Sequence, residues 1–255
     1  MPTIAHNGTK LAFEDRGAGR PAFVFVHGTS CDRSFFAPQA EHFARQHRVV
    51  SVDLRGHGES DKPSGPYPIA AYADDLAYII EQQGLGKVVA VGHSMGGMIV
   101  LELAAAHPDC VGAIVMVDST IAYSPDRRTA VEAVAAGIEA GDHGPRRQWI
   151  ESMFLPNSDR QLVEKVMRVM LAAPPHVAAS AIRGALEFDC QTAAALCKVP
   201  ALHLAASPQR IPPPLIAERL QNLVNGCTVG AGHFNQLEVP DQVNAMIEAF
   251  LRRYV

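Results

Sequence analysis

Gly92-His93-Ser94-Met95-Gly96-Gly97 sets a serine among glycines, after the apolar run Val88-Val89-Ala90-Val91 and before Met98-Ile99-Val100-Leu101. The first run reads as a buried parallel strand and the second as the start of a buried helix. Turning from strand to helix at one residue forces that residue into a strained conformation that only stiff surroundings hold. Gly92 and Gly96 stand two residues either side, where a Cβ would strike neighbouring backbone. Such a turn lifts the Ser94 hydroxyl clear of the sheet and aims the Met95 amide, at the helix N-terminus, toward the same point. Ser94 is therefore the candidate nucleophile and Met95 a candidate oxyanion donor.

A serine hydroxyl is a weak nucleophile at neutral pH unless a base takes its proton. Eleven histidines are available. His233, in Gly230-Ala231-Gly232-His233-Phe234, follows the strand-like Cys227-Thr228-Val229 and precedes a helix expected from Pro240 to Tyr254. That loop lies at the carboxyl end of a late strand, where α/β sheets collect their chemistry, and His233 is the candidate general base. His93 sits inside the turn and cannot fold back onto Ser94, while His27 closes a strand and braces its loop. His57 falls in a glycine-rich turn and His203 in a strand. His6, His42, His47, His107, His143 and His176 fall in helical or polar surface contexts.

Together these segments resemble the α/β-hydrolase fold family. Phe25-Val26-His27-Gly28-Thr29, Asp53-Leu54-Arg55-Gly56-His57-Gly58-Glu59-Ser60, the Gly92 to Gly97 turn, and Gly232-His233-Phe234 through Glu238-Val239-Pro240 follow that family's order across nearly the whole chain. The resemblance implies that Thr29, after the His-Gly pair, supplies a second oxyanion amide, and that Asp53 and Arg55 are scaffold. Ser30 is expected to line the pocket or touch substrate.

The acid departs from the commonest family pattern. That pattern puts an aspartate shortly after the strand corresponding here to Ala201–Ala205, and the equivalent position is Gln209. Ala206 to Ile211 holds no carboxylate. Asp118 ends the apolar strand Ala113 to Val117, next after the nucleophile's helix, and is the expected substitute, an arrangement similar to that of the haloalkane dehalogenases. A Ser-His dyad is the alternative, as is a stray acid such as Asp189, although Asp189 precedes a short helix from Cys190 to Leu196, where an N-cap is the commoner role.

Strands and helices alternate as in a doubly wound, mostly parallel eight-stranded sheet. An antiparallel pair around Thr3-Ile4 and Leu11 to Glu14 precedes strands at Ala22–Val26, Val49–Asp53, Val88–Val91, Ala113–Val117, Ala201–Ala205 and Cys227–Val229. Helices are expected at Phe36–Gln46, Ile69–Gln83, Gly97–His107, Pro213–Leu223 and Pro240–Tyr254. Between Asp118 and Asp189 only helical patterns occur. Residues 119–186 therefore read as a helical lid on a core made of 1–118 and 187–255. Phe35, Trp149, Met153, Phe154 and Phe234 are the expected apolar lining of a substrate pocket. Arg33, Arg127 and Arg128 are the few cations for an anionic substrate head.

A chain of 255 residues with 48% hydrophobic content can bury a full α/β core. A net charge of −4 offers no pull toward nucleic acid or anionic membrane. No signal peptide or membrane-length apolar run is visible, and five scattered cysteines, with Cys190 and Cys197 set for packing, suit a reduced cytoplasmic setting. No metal-ligand spacing or cofactor motif occurs. The expected activity is hydrolysis of a carboxylic ester or lactone of a small, largely apolar substrate through an acyl-enzyme. Carbon-carbon bond hydrolysis of ring-fission products, cofactor-free perhydrolysis, and a hydrolase-like receptor with little turnover are the alternatives. Oligomeric state is not encoded legibly.

Overall fold

The computed structural model describes residues 2–119, 123–207 and 218–255. Eight strands form one sheet: β1 (Thr3–His6), β2 (Thr9–Arg16), β3 (Ala22–Val26), β4 (Val49–Asp53), β5 (Val88–His93), β6 (Val111–Val117), β7 (Ala201–Ala205) and β8 (Leu223–Cys227). Their spatial order is β1-β2-β4-β3-β5-β6-β7-β8. The first two strands join antiparallel, and β4 through β8 run parallel.

Alternation along the central strands divides the core into two layers. Val24, Val26, Val50, Val52, Ala90, Ile114 and Met116 face one side. There they meet α2 (Ile69–Gln82), α3 (Met95–Ala106) and α8 (Cys190–Leu196). Phe23, Phe25, Val89, Val91, Val115, Leu202 and Leu204 face the other. Their partners are α1 (Ala37–Phe43) and α10 (Pro240–Tyr254), the latter following the short α9 (Asn235–Glu238). With both faces covered, the parallel strands can be continuously apolar, as their sequences are.

Between β6 and α8 the described residues hold no strand. They form α4 (Pro125–Glu139), α5 (Gly144–Glu151), α6 (Arg160–Ala172) and α7 (Pro175–Glu187). Val131, Val134 and Ile138 of α4 pack against Ala178, Ile182 and Leu186 of α7. In turn, α7 rests on the core, where the Ser180 hydroxyl accepts a hydrogen bond of 3.0 Å from the Tyr67 amide. At Asp189 the N-cap expectation matches the geometry: its carboxylate accepts the amides of Gln191 and Thr192.

One strand differs from its expected position. The sequence places a strand at Cys227–Val229, but β8 covers Leu223–Cys227, and Val229 is 76% exposed. Pairing in register with β7, Ala201 opposite Leu223 through Ala205 opposite Cys227, turns Val224 onto the core beside Leu202. As an edge strand, β8 tolerates Asn225 and Gly226 despite their weak strand propensity. Leu223 thus opens a strand instead of ending a helix. The rest of the expected helix from Pro213, and Gln209, fall largely or wholly outside the described residues. The nucleophile's helix also starts earlier than expected, at Met95.

A Cβ on Gly184 of α7 would overlap the Tyr67 carbonyl oxygen, a backbone atom with little room to yield. Gly184→Ala is expected to lower unfolding stability by about 1–3 kcal/mol. A urea midpoint equal to that of the parent chain would contradict the docking of α7 described above.

Candidate active site

The chain runs from β3 outward to β4 and then returns to the opposite flank of β3 with β5. Ligands of open α/β sheets collect at the carboxyl ends of strands where the winding reverses in this way. In register, Val26 pairs with Gly92 and His93 with Val117. The residues just beyond those pairs therefore emerge side by side: Thr29 and Ser30 after β3, Ser94 after β5, Asp118 after β6. Backbone bonds fix them, with the Ser94 amide donating to Val117 O at 3.0 Å and the Asp118 amide to Leu204 O at 2.8 Å.

Ser94 has φ 55° and ψ −119°, a conformation that costs energy for any residue with a Cβ. Its surroundings leave no alternative. A Cβ on Gly92 would overlap Gly96, and one on Gly96 would overlap the Val26 carbonyl, so helix α3 starts in backbone contact with both strands. Ser30 and Asp118 share the left-handed region, at φ 62° and 42°.

His233, 6% exposed, bridges the two strand ends. Its Nδ1–H donates to Asp118 Oδ2 at 2.6 Å, and its Nε2 lies 3.0 Å from the Ser94 hydroxyl, within hydrogen-bond reach. The other Asp118 oxygen accepts the Ala206 amide at 2.7 Å. Asp118 is fully buried. A carboxylate on Nδ1 fixes the imidazole tautomer so that the Nε2 lone pair faces the hydroxyl, and it is placed to stabilise an imidazolium.

Opposite this chain lies the loop after β3. Gly28 packs so tightly on Ser94 that an added Cβ would come within 3.0 Å of the serine Cβ. The Thr29 hydroxyl donates to Met95 Sδ at 3.3 Å, joining the two residues whose amides are the candidate oxyanion donors. Among the described residues, neither amide donates to a backbone or side-chain acceptor. Two buried histidines hold the loop. His27 Nδ1–H donates to Gly28 O at 2.8 Å while its Nε2 accepts the Leu54 amide; His57 Nε2 accepts the Ser30 amide at 3.1 Å while its Nδ1–H donates to Arg55 O. Burial lowers the His27 pKa to about 4 and the His57 pKa to about 3, so both stay neutral, as these roles need. Asp53 accepts the Arg33 and Glu59 amides and the Arg33 guanidinium, and Arg55 pairs with Asp75, which leaves both residues in scaffold positions.

The expected pocket residues divide. Ser30 is 2% exposed and committed to other protein groups: its amide is held by His57 and its hydroxyl accepts from Arg146 Nη2 at 3.2 Å. Phe35 and Phe234 are fully buried, edge to face with ring centroids 5.8 Å apart, so they back the site. Phe154 stacks on Phe234 at 5.2 Å and is part-exposed, as is Trp149. Met153 is buried, and its carbonyl accepts the His233 amide at 2.8 Å. Arg33 is paired with Asp53, and Arg128 with Glu132.

Three residues at the site, Ser119, His203 and Arg146, are not among those the sequence singles out for a role there. Ser119 donates its hydroxyl to Ser94 O at 2.7 Å, and its own carbonyl accepts from His203 Nε2 at 2.9 Å, so the pair shores up the strained turn from below. Adjacency to Asp118 was the available hint for Ser119. Arg146 is 2% exposed with no carboxylate partner among the described residues; desolvation lowers its pKa, and its contacts are to Ser30, Met170 O and Ala173 O. In sequence it is indistinguishable from the exposed Arg147.

Comparison with known proteins agrees with this architecture. A family model for the alpha/beta hydrolase fold matches residues 21–141. The chain belongs to the α/β-hydrolase fold family. RutD of Caulobacter segnis, by its name a candidate carbamate hydrolase, is 30% identical over 180 residues, covering 68% of this chain and 67% of that protein. A 2-(acetamidomethylene)succinate hydrolase from Mesorhizobium japonicum is 34% identical over 131 residues, but the match spans only 51% of this chain and 46% of the relative. A thermophilic esterase from Thermogutta terrifontis superposes with a TM-score of 0.85 at 29% identity, covering 99% of this chain and 97% of that one.

The buried histidines have a pH signature. Their pKa values are depressed from 6.5 on folding, so the unfolded chain binds protons that the folded chain refuses. Their contribution is intact above about pH 6.5 and is lost as pH falls toward about 4, at about 1.4 kcal/mol per pH unit for each histidine. Urea unfolding across that window is expected to show this slope, and His57→Gln to remove about half of it. A flat profile in the parent chain would refute the neutral assignment.

Proposed function

We propose that the protein is a serine hydrolase that cleaves a carboxylic ester or lactone of a small, largely apolar substrate through an acyl-enzyme. The observation that carries this reading is the continuous chain from the Ser94 hydroxyl through His233 to Asp118, with contacts of 3.0 and 2.6 Å. Ser94 Oγ attacks the carbonyl carbon as its proton passes to His233 Nε2. Negative charge gathers on the carbonyl oxygen and is met by the Thr29 and Met95 amides, donors already aimed and therefore costing no reorganisation. Asp118 steadies the imidazolium. His233 then returns the proton to the leaving alkoxide, which departs as the alcohol. A water deprotonated by the same imidazole attacks the acyl-serine, and the acid and free Ser94 result.

The thermophilic esterase, at 29% identity over nearly the full chain, supports ester cleavage. The names of the other relatives point to acyl carbons bearing nitrogen as well, so carbamates belong in any substrate panel. Residues 119–186 are assigned as the cap over the site, with Trp149 and Phe154 as the part-exposed aromatics on its side. Against the alternative of a receptor with little turnover stands the Asp118 carboxylate, 2.6 Å from His233 Nδ1. No helix among the described residues is long and apolar enough to cross a membrane.

A fluorophosphonate is expected to label Ser94, and Asp118→Asn to cut kcat on p-nitrophenyl esters by on the order of a thousandfold or more at unchanged stability. Turnover within tenfold of the parent enzyme in that variant would remove Asp118 from the mechanism.

A further inference from the structure

Helix α5 touches the site at both of its ends. Near its start, Arg146 Nη2 donates to the Ser30 hydroxyl at 3.2 Å, on the loop that carries Thr29. Just past its end, the Met153 carbonyl accepts the His233 amide at 2.8 Å. Seven residues of helical rise separate these anchors by about 10 Å. Between them, fully buried Ile150 packs in one apolar cluster with Cys31 and Phe35, which follow the Thr29 loop, and Phe234, which follows His233. Contact at the base side is close enough that a Cβ on Gly232 would strike Met153 O and approach Phe154 Cα.

The far side of Arg146 is held too. Its guanidinium donates to Met170 O at 2.5 Å and Ala173 O at 3.2 Å, at the last turn of α6, where unpaired helical carbonyls favour a cation. These bonds explain how an arginine without a carboxylate partner among the described residues is tolerated at 2% exposure. They also fix the guanidinium so that its remaining reach is spent on Ser30. A swinging lid would keep such contacts off the core. Here they are made to the two loops that the chemistry requires in register.

We infer that α5 is a brace that sets the oxyanion loop and the base loop relative to one another, with Arg146 as its positioning residue. The inference rests on the hydrolase reading given above. Arg146 touches no reacting atom. It acts through Ser30 on the neighbouring Thr29 amide, and an error of about 1 Å in a donor of that kind can cost a hundredfold in rate. Ser94 and Asp118 are set by strand register, so they do not depend on the brace; the Thr29 amide and His233 do.

The test combines variants with a measurement on the unaltered protein. Arg146→Met is expected to lower kcat on p-nitrophenyl butyrate about tenfold to a hundredfold, with KM little changed and an alkyl boronate inhibitor weakened in parallel. In Arg146→Ala, millimolar guanidinium ion, but not sodium, is expected to restore part of kcat. A folded Arg146→Met with kcat within twofold of the parent, or with its loss confined to KM, overturns the inference. Should neither variant fold, amide hydrogen exchange on the parent protein decides. The Ser30 and His233 amides are expected to lose protection in the same opening event as those of α5. Protection at either that outlasts the opening of α5, or is lost without it, overturns the brace. Exchange needs no turnover, so a parent protein that cleaves no ester and resists fluorophosphonate would end the hydrolase reading while leaving the brace separately tested.

Discussion

The backbone of Ser94, at φ 55° and ψ −119°, is the constraint from which the site follows. A serine does not choose that conformation; it is imposed where β5 must become α3 within one residue. Three close approaches make the turn possible: Gly92 against Gly96, Gly96 against the Val26 carbonyl, and Gly28 against the serine Cβ. Ser119 and His203 support it from beneath. A larger residue at any of those glycines would move the hydroxyl, the Met95 amide, or the loop that carries Thr29.

Strand register turns that local strain into a constellation. Because His93 pairs with Val117, the next residues on adjacent strands are the serine and the aspartate, and their separation is set by the spacing of the sheet. The imidazole comes from 115 residues beyond its acid and needs separate placement. His93 donates to the His233 carbonyl at 2.9 Å, Met153 O accepts the His233 amide, and Glu238 accepts the Gly232 amide at 2.9 Å. The loop opposite is held by neutral histidines that each use one ring nitrogen as donor and the other as acceptor. Protonating either would remove an acceptor that a buried amide requires.

Much of this was legible because local backbone demands leave local marks. Paired glycines announced the turn at Ser94, and Gly232-His233 after a late strand announced the imidazole. Asp118 could be read from a strand end together with the absence of carboxylates around Gln209. Contacts between distant segments left no comparable mark. Arg146 and Ser30 lie 116 residues apart, and nothing in Gly144-Pro145-Arg146-Arg147 says which arginine turns inward. Phe35 and Phe234, expected from the sequence to line a pocket, are fully buried behind the site, since an aromatic residue on a loop can face a cavity or the core behind it. At β8, the limits of the strand are decided by pairing with β7, which leaves no local mark in the sequence.

The position of Asp118 has a consequence for how the helices between β6 and α8 are attached. With the carboxylate at the end of β6, a single β-α-β unit from Val88 to Asp118 holds both the hydroxyl and the negative charge, and the loop after β7 is released from supplying an acid. The helices α4 to α7 lie outside that unit, so the distance between those two groups is set without them. What joins those helices to the loops beside the unit is a pair of contacts, Arg146 on the Ser30 hydroxyl and Met153 O on the His233 amide. That segment therefore hangs on two points, while the spacing of serine and aspartate stays with the sheet.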